Sequence, residues 1–286
     1  MRDDFAIFIL THGRPHNQYT LQELQKRNYP GKWYLIIDNE DDTADEYFRL
    51  YGKDHVVQFD RIAQYNRHDF DIGDNFNSNR NTIVYARNMC FPIAEQLGLK
   101  YFWEFEDDYT DFTTRIQITK DNLTQIYVED FEAIVNALID FIDSTNVTTI
   151  AMSQVGDWLG GVHGQMFKEK IKRKAMNTFL CRVDRPFTFL GRMNDDVNTY
   201  VVEGSRGMIF LTIRDLIMRQ LETQKNTGGN TEMYLNFGTY IKSFYSVMMA
   251  PSCVSISCMG QTHRRIHHHI DWNTAVPKII SSKFKV

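Results

Sequence analysis

The feature that most constrains this chain is a repeated alternation. A short apolar run ends in a polar cluster, and an amphipathic stretch follows. FAIFIL (Phe5–Leu10) leads into THGRP, WYLIID (Trp33–Asp38) into NEDD, and HVVQFD (His55–Asp60) is a third run. YFWEFEDD (Tyr101–Asp108) is a fourth, and it ends in acids. Runs of this length, rich in β-branched and aromatic residues, suit strands buried on both faces of a parallel sheet. Between them, YTLQELQKR, TADEYFRLYG and TIVYARNMCFPIAEQLG carry helical spacing, and Gly98 closes the last as a C-terminal glycine does. Strand alternating with helix predicts an α/β fold with a mainly parallel central sheet flanked by helices. Ligands then bind at the carboxyl ends of the strands, where the polar clusters lie.

The remaining chain fits the same single domain, 1–286. Val128–Ser144 reads as a long amphipathic helix and Val147–Val155 as a strand. TFLCRVDRPFTFLGRMND reads as strands with turns, and TIRDLIMRQLETQKN (Thr212–Asn226) as a helix. NTEMYLNFGTYIKSFYSVMMAP begins helical, and SCVSISC alternates as a strand does. No composition break calls for a second domain. Within it the chain divides into two halves, residues 1–125 and 126–286.

Composition excludes several classes. With 286 residues, 43% of them hydrophobic, the chain can bury a sizeable core. Only 6 Pro and 16 Gly argue against linker-rich or disordered classes. No apolar run is long enough to span a bilayer, and the N-terminus lacks the form of a signal peptide. Cys90, Cys181, Cys253 and Cys258 form no C-x-x-C pair and read as reduced core thiols, so a cytoplasmic protein is expected. The net charge of -4 argues against a protein that coats nucleic acid. Basic segments exist locally at Lys168–Lys174 and Thr262–His269, each equally readable as a solvated face.

Glu106, Asp107 and Asp108 are the sharpest chemical signal. Adjacent acids leaving a buried strand repel one another unless a cation or tight turn compensates. Residues two apart on a strand share a face, so Glu106 and Asp108 can meet one ligand. A divalent cation such as Mg2+ or Mn2+ takes few carboxylates, with water and substrate phosphates completing its shell. The competing reading is an acidic solvated turn. Weaker signals surround it. Arg14 in THGRP could pair with phosphate. Asp38 could accept from a base or ribose. Arg80, Arg87 and Asn88 lie on or before the helix that leads into the acidic strand. Asp195 and Asp196 offer a general base or a capped turn. His267, His268 and His269 cannot all bind one ion if extended, because neighbours alternate faces. Asn226–Tyr234 reads as a flexible loop that could cover a donor.

Taken in order, these segments resemble GT-A glycosyltransferases. More narrowly, FILTHGRP, LIIDNEDD, IVYARN, FWEFEDDY, GRMNDDVNTYV and HHIDWNTAVPKII resemble the TET-associated glycosyltransferases of bacteriophages. That family is implied to add sugars to hydroxymethylated pyrimidines in DNA. The resemblance implies a GT-A fold, a UDP-sugar donor and Mn2+ or Mg2+. It implies that Thr11, Arg14 and Asp38 line the nucleotide pocket and that Arg80 and Arg87 contact the donor. Glu106 would touch ribose or cation, Asp108 would hold the cation with His268, and Asp195 or Asp196 would be the base of an inverting transfer. The acidic motif opens with Glu rather than Asp, which leaves open which acid meets the metal. A phage-encoded enzyme would act in the host cytoplasm. A polysaccharide acceptor, a metal-dependent nuclease and a non-catalytic binding module are the alternative readings.

Overall fold

The computed structural model describes residues 1–67, 70–71, 82–168, 171–221, 238, 240–260 and 264–277. The strands are β1 (Phe5–Leu10), β2 (Lys32–Asp38), β3 (Val56–Phe59), β4 (Tyr101–Glu106), β5 (Tyr109–Thr119) and β6 (Asn122–Tyr127). They continue as β7 (Thr149–Gln154), β8 (Ile171–Lys172), β9 (Phe179–Arg182), β10 (Phe210–Gln220), β11 (Val254–Met259) and β12 (Arg265–Ile270). The helices are α1 (Tyr19–Lys26), α2 (Ala44–Tyr51), α3 (Arg61–Tyr65), α4 (Val84–Gln96), α5 (Phe131–Asp143), α6 (Gln165–Lys168), α7 (Asp195–Ser205) and α8 (Ile241–Met249).

One sheet of ten strands dominates, in the order β3-β2-β1-β4-β9-β7-β10-β5-β6, with β8 on β10. β1 pairs in parallel with both β2 and β4, and β2 with β3. β9 runs against β4 and β7, so β7 and β10 point the same way as β1. The chain order reverses between β1 and β4. Helices therefore leave the sheet on opposite faces there, and a crevice opens at the carboxyl ends.

Alternation along β1 shows why the run folds as a two-sided strand. Phe5, Ile7 and Ile9 face one core with Leu21 and Leu24 of α1, Tyr47 of α2 and Val135, Ile139 and Ile142 of α5. Ala6, Phe8 and Leu10 face the other, against Tyr85, Phe91 and Ile93 of α4 and Val197 and Val201 of α7. Both faces are sealed, so no polar alternation appears in the sequence. Phe8 stacks on Phe102 with centroids 5.3 Å apart; truncating such a side chain to Ala costs about 3–5 kcal/mol.

The helix expected over Thr212–Asn226 is instead β10 as far as Gln220, and residues 222–226 lie outside the described set. Leu216 and Met218 enter one core and Ile217 another, a period of two rather than 3.6. Ladders to β7 and β5 satisfy the backbone on both edges. Tertiary pairing thus overrides a spacing that reads as helical. Cys90, Cys181 and Cys253 are buried as expected, whereas Cys258 is exposed on β11. The HHH run lies on β12, paired with β11 in a separate hairpin.

Candidate active site

Three loops at the carboxyl edge build the site. The first follows β1. Thr11 Oγ1 donates to Asp107 Oδ2 at 2.6 Å, Gln18 Nε2 donates to Thr11 Oγ1 at 2.8 Å, and Arg14 Nε lies 3.1 Å from Asp107 Oδ2. Gly13 turns here at φ 69°, and its N–H donates to Asp41 Oδ2 at 2.7 Å. Asp107, the central acid of the run, is therefore spent on holding the β1 loop. Burial raises its carboxyl to about 6, against the pull of Arg14 and Thr11.

The second loop follows β2. Asp38 is 2% exposed. Its Oδ2 lies 2.8 Å from His12 Nδ1 and is paired with Arg61, while its Oδ1 accepts from Glu40 N–H at 2.9 Å. Burial alone would raise its pKa, but the His12 hydrogen bond and the Arg61 charge together hold it below the ordinary carboxylate value. Both oxygens are thus engaged inside the protein.

The third group surrounds Arg87, on α4. Its guanidinium is 2.6 Å from Glu106 Oε1 and 3.1 Å from Asp195 Oδ2. It stands 4.7 Å over the Phe179 ring and 5.4 Å from that of Phe189. Asn88, next in the helix, clamps the Phe189 backbone through Oδ1 and Nδ2 at 2.7 and 3.1 Å. Burial works to lower the Arg87 pKa, but Asp195, Glu106, Glu104 and Asp196 outweigh it and hold the group charged. For Glu106 and Asp195, burial raises the carboxyl above its ordinary value despite Arg87.

The structure thus brings Thr11 together with Arg14, and Arg87 together with Glu106 and Asp195. The acidic run joins the two groups through its successive side chains. Arg80 and the Asn226–Tyr234 loop lie outside the described residues. Asp195 and Asp196 form the first turn of α7, where the helix dipole favours acids. Asp195 is buried; Asp196 is half-buried and its Oδ1 accepts from the Val197 N–H at 2.7 Å. Asn194 precedes them at φ 53° and ties α7 to α8 and β12. Its Nδ2 reaches Ser246 Oγ at 3.0 Å, Lys242 O at 3.2 Å and His268 Nδ1 at 3.2 Å. An amide nitrogen facing Nδ1 makes that ring nitrogen the acceptor, so Nε2 carries the proton. Burial, with His267 and Lys242, lowers the His268 pKa to about 4, so the ring is neutral.

Asp108 Oδ1 is buried with no hydrogen-bond partner. A carboxylate oxygen left so, in the turn after β4 and close enough for its charge to raise the Glu106 carboxyl, fits a hard divalent cation. Among the described residues, no three His, Cys, Asp or Glu side chains gather into a metal-binding group. A cation held here would therefore draw most of its ligands from water and substrate.

Glu104 and Asn194 escaped the sequence reading, and Asp107 was read only as a member of the acidic run, without its role in holding the β1 loop. Glu104 is 1% exposed, and neither carboxyl oxygen has a hydrogen-bond partner. Burial lifts it to about 8, more than the Arg87 charge lowers it. The two-residue period that pairs Glu106 with Asp108 extends back to Glu104, so that acid was legible. Asp107, on the opposite face, was distinguishable from its neighbours by the same rule.

The sequence profile of a family described as TET-Associated Glycosyltransferase matches residues 5–229. No curated protein matches the chain. Among solved structures, glucosyl-3-phosphoglycerate synthase from Mycobacterium tuberculosis, in complex with Mg2+ and uridine diphosphate, superposes at a TM-score of 0.48 and 7% identity, covering 93% of this chain and 87% of that one. A putative nucleotide-diphospho-sugar transferase from Desulfovibrio desulfuricans gives 0.42 at 11% identity, over 85% and 99%. Mannosyl-3-phosphoglycerate synthase from Rubrobacter xylanophilus gives 0.43 at 8% identity, over 93% and 86%.

Proposed function

Because the chain belongs to the TET-associated glycosyltransferase family, and is a glycosyltransferase by that membership, we propose that it moves a sugar from a UDP-sugar to the hydroxyl of a 5-hydroxymethylpyrimidine in DNA, with inversion. The observation that carries this is Arg87. One guanidinium binds the strand-end acid Glu106 and the helix-start acid Asp195, so the donor and acceptor sides meet at one charge.

The 1–125 half supplies the donor side of this single GT-A domain. The β1 loop with Thr11 and Arg14, and the β2 end with Asp38, flank the nucleotide. Asp108 and Glu106 would hold Mn2+ or Mg2+, which would supply positive charge to neutralise the leaving diphosphate. Arg87 adds charge stabilisation from a buried position. The 126–286 half supplies the acceptor side. Asp195 is committed to Arg87, so Asp196, half-buried at the start of α7, takes the proton of the acceptor hydroxyl. His268, a candidate metal ligand, has its Nδ1 facing Asn194, so only its Nε2 is left to meet a cation or a substrate oxygen. A base inside duplex DNA must be flipped out to reach this crevice. Lys168, Lys172 and Arg173, together with Arg264 and Arg265 before and on β12, supply local phosphate contacts on a chain of net charge -4.

Replacing Asp196 with Asn should cut kcat roughly 10²–10⁴-fold and leave UDP affinity unchanged. Asp108→Asn should instead weaken Mn2+-dependent UDP binding. Calorimetry with UDP and Mn2+, run beside an assay of UDP release from UDP-sugars, separates the two. An Asp108→Asn variant with unaltered Mn2+-dependent UDP binding contradicts the assignment.

A further inference from the structure

We infer that a chain of three carboxamides, Gln154–Asn177–Gln220, is the subsite that reads the hydroxyls of the transferred sugar, and that it takes an uncharged sugar. This rests on the donor reading above. Gln154 ends β7, Gln220 ends β10, and Asn177 stands just before β9, all at the carboxyl edge. Gln154 Nε2 donates to Asn177 Oδ1 at 2.7 Å, and Asn177 Nδ2 donates to Gln220 Oε1. The chain abuts the acidic motif: Tyr109 OH donates to Asn177 O at 2.6 Å, and Leu221 N–H donates to Asp108 O at 3.1 Å.

Each amide nitrogen donates in the same direction. The Oε1 of Gln154 accepts from the Asp157 N–H in a capping box and keeps a second lone pair at one end. The Nε2 of Gln220 is a donor at the other, with no other hydrogen-bond partner among the described residues. All three side chains are half-buried, so they belong neither to the sealed core nor to open surface. Asn177 holds a positive φ of 64°, a conformation that L residues adopt at a cost and that Asn tolerates best among residues with a side chain.

Position selects the sugar. Along the edge, the β2 end with Asp38 and the β1 loop with Arg14 come first, then the β4 acids, then β9, β7 and β10. β7 lies two strand spacings from β4, about 10 Å. A sugar attached to a phosphate at Asp108 extends into that span. Vicinal hydroxyls donate and accept at once, as the two ends of the chain require. The cations flanking it are already paired, Lys174 with Asp157 at 2.9 Å and Arg219 with Asp111 at 3.6 Å. A uronate carboxylate placed here would lose its hydration without gaining a counter-charge.

The test is calorimetry with Mn2+ and, in turn, UDP, UDP-glucose, UDP-galactose, UDP-xylose and UDP-glucuronate. A neutral UDP-sugar is expected to bind at least fivefold more tightly than UDP, and UDP-glucuronate to show no such gain. Gln154→Ala and Gln220→Ala should erase the gain while leaving UDP affinity within twofold. Gln154→Asn keeps the amide and serves if the Ala variants melt early. Retained sugar preference in all variants, an equal loss for UDP and UDP-sugar, or a preference for UDP-glucuronate overturns the inference. Absence of UDP binding by the wild type overturns the donor reading first, and is distinguishable for that reason.

Discussion

Asp38 shows how much a single buried carboxylate carries. His12 and Arg61 converge on it, and Arg61 is itself 5% exposed. Removing the charge strands a buried guanidinium, which costs about 3–5 kcal/mol, so Asp38→Asn should lower stability by that order in urea titrations at pH 7. The pH dependence has a definite sign. The folded pKa lies below the ordinary value, so the contribution is present above the unfolded pKa and is lost as pH falls through the folded one. Wild-type stability should therefore decline below about pH 4, and Asp38→Asn should lack that part of the decline. Equal acid sensitivity in both proteins would contradict the pairing. Thr11, Arg14, Asp38, Arg87 and the acidic run were visible in the sequence because each ends or follows an apolar strand, or opens a helix. Their partners Tyr47, whose hydroxyl meets Thr11 Oγ1 at 2.8 Å and accepts from the Arg14 N–H at 2.9 Å, and Arg61 were not, because partnership across the crevice follows strand order and leaves no mark on local spacing.

The elements differ in how openly they declare themselves. β1, the second half of β2 and β4 as far as Phe105 are buried, and their apolar runs, broken only by Glu104, say so. β10 does not, because Leu216, Ile217 and Met218 mimic a helical patch until β7 and β5 are placed beside them. The start of α7 is concealed as well. NDD reads as a turn, yet Asn194 in the left-handed region launches a helix whose first turn holds both candidate bases, Asp195 and Asp196. Asn194→Gly keeps that backbone at little cost, whereas Asn194→Ala adds roughly 1–2 kcal/mol of left-handed strain. The thermal midpoint should thus fall further for Ala than for Gly. Activity should fall in both, since both lose the contacts to Ser246 and His268. Identical midpoints would argue against the left-handed start.

At the scale of the molecule, the sheet works as a ruler. Its β1/β4 reversal places the loops after β1 and β2 on one flank and the start of α7 on the other, the nucleotide and acceptor sides of our proposal, with Arg87 between them. Family membership establishes glycosyl transfer, while the DNA acceptor is our proposal, supported by the family resemblance and by local basic segments on an acidic chain. The most direct measurement is incubation of the protein with Mn2+, a neutral UDP-sugar and duplex DNA containing 5-hydroxymethylcytosine, followed by mass spectrometry of the digested nucleosides. A sugar mass added to the hydroxymethylated nucleoside, absent with unmodified DNA and lost in Asp196→Asn, is the predicted result. UDP release with no modified nucleoside would contradict the DNA acceptor, and no UDP release with any UDP-sugar offered would contradict the donor site.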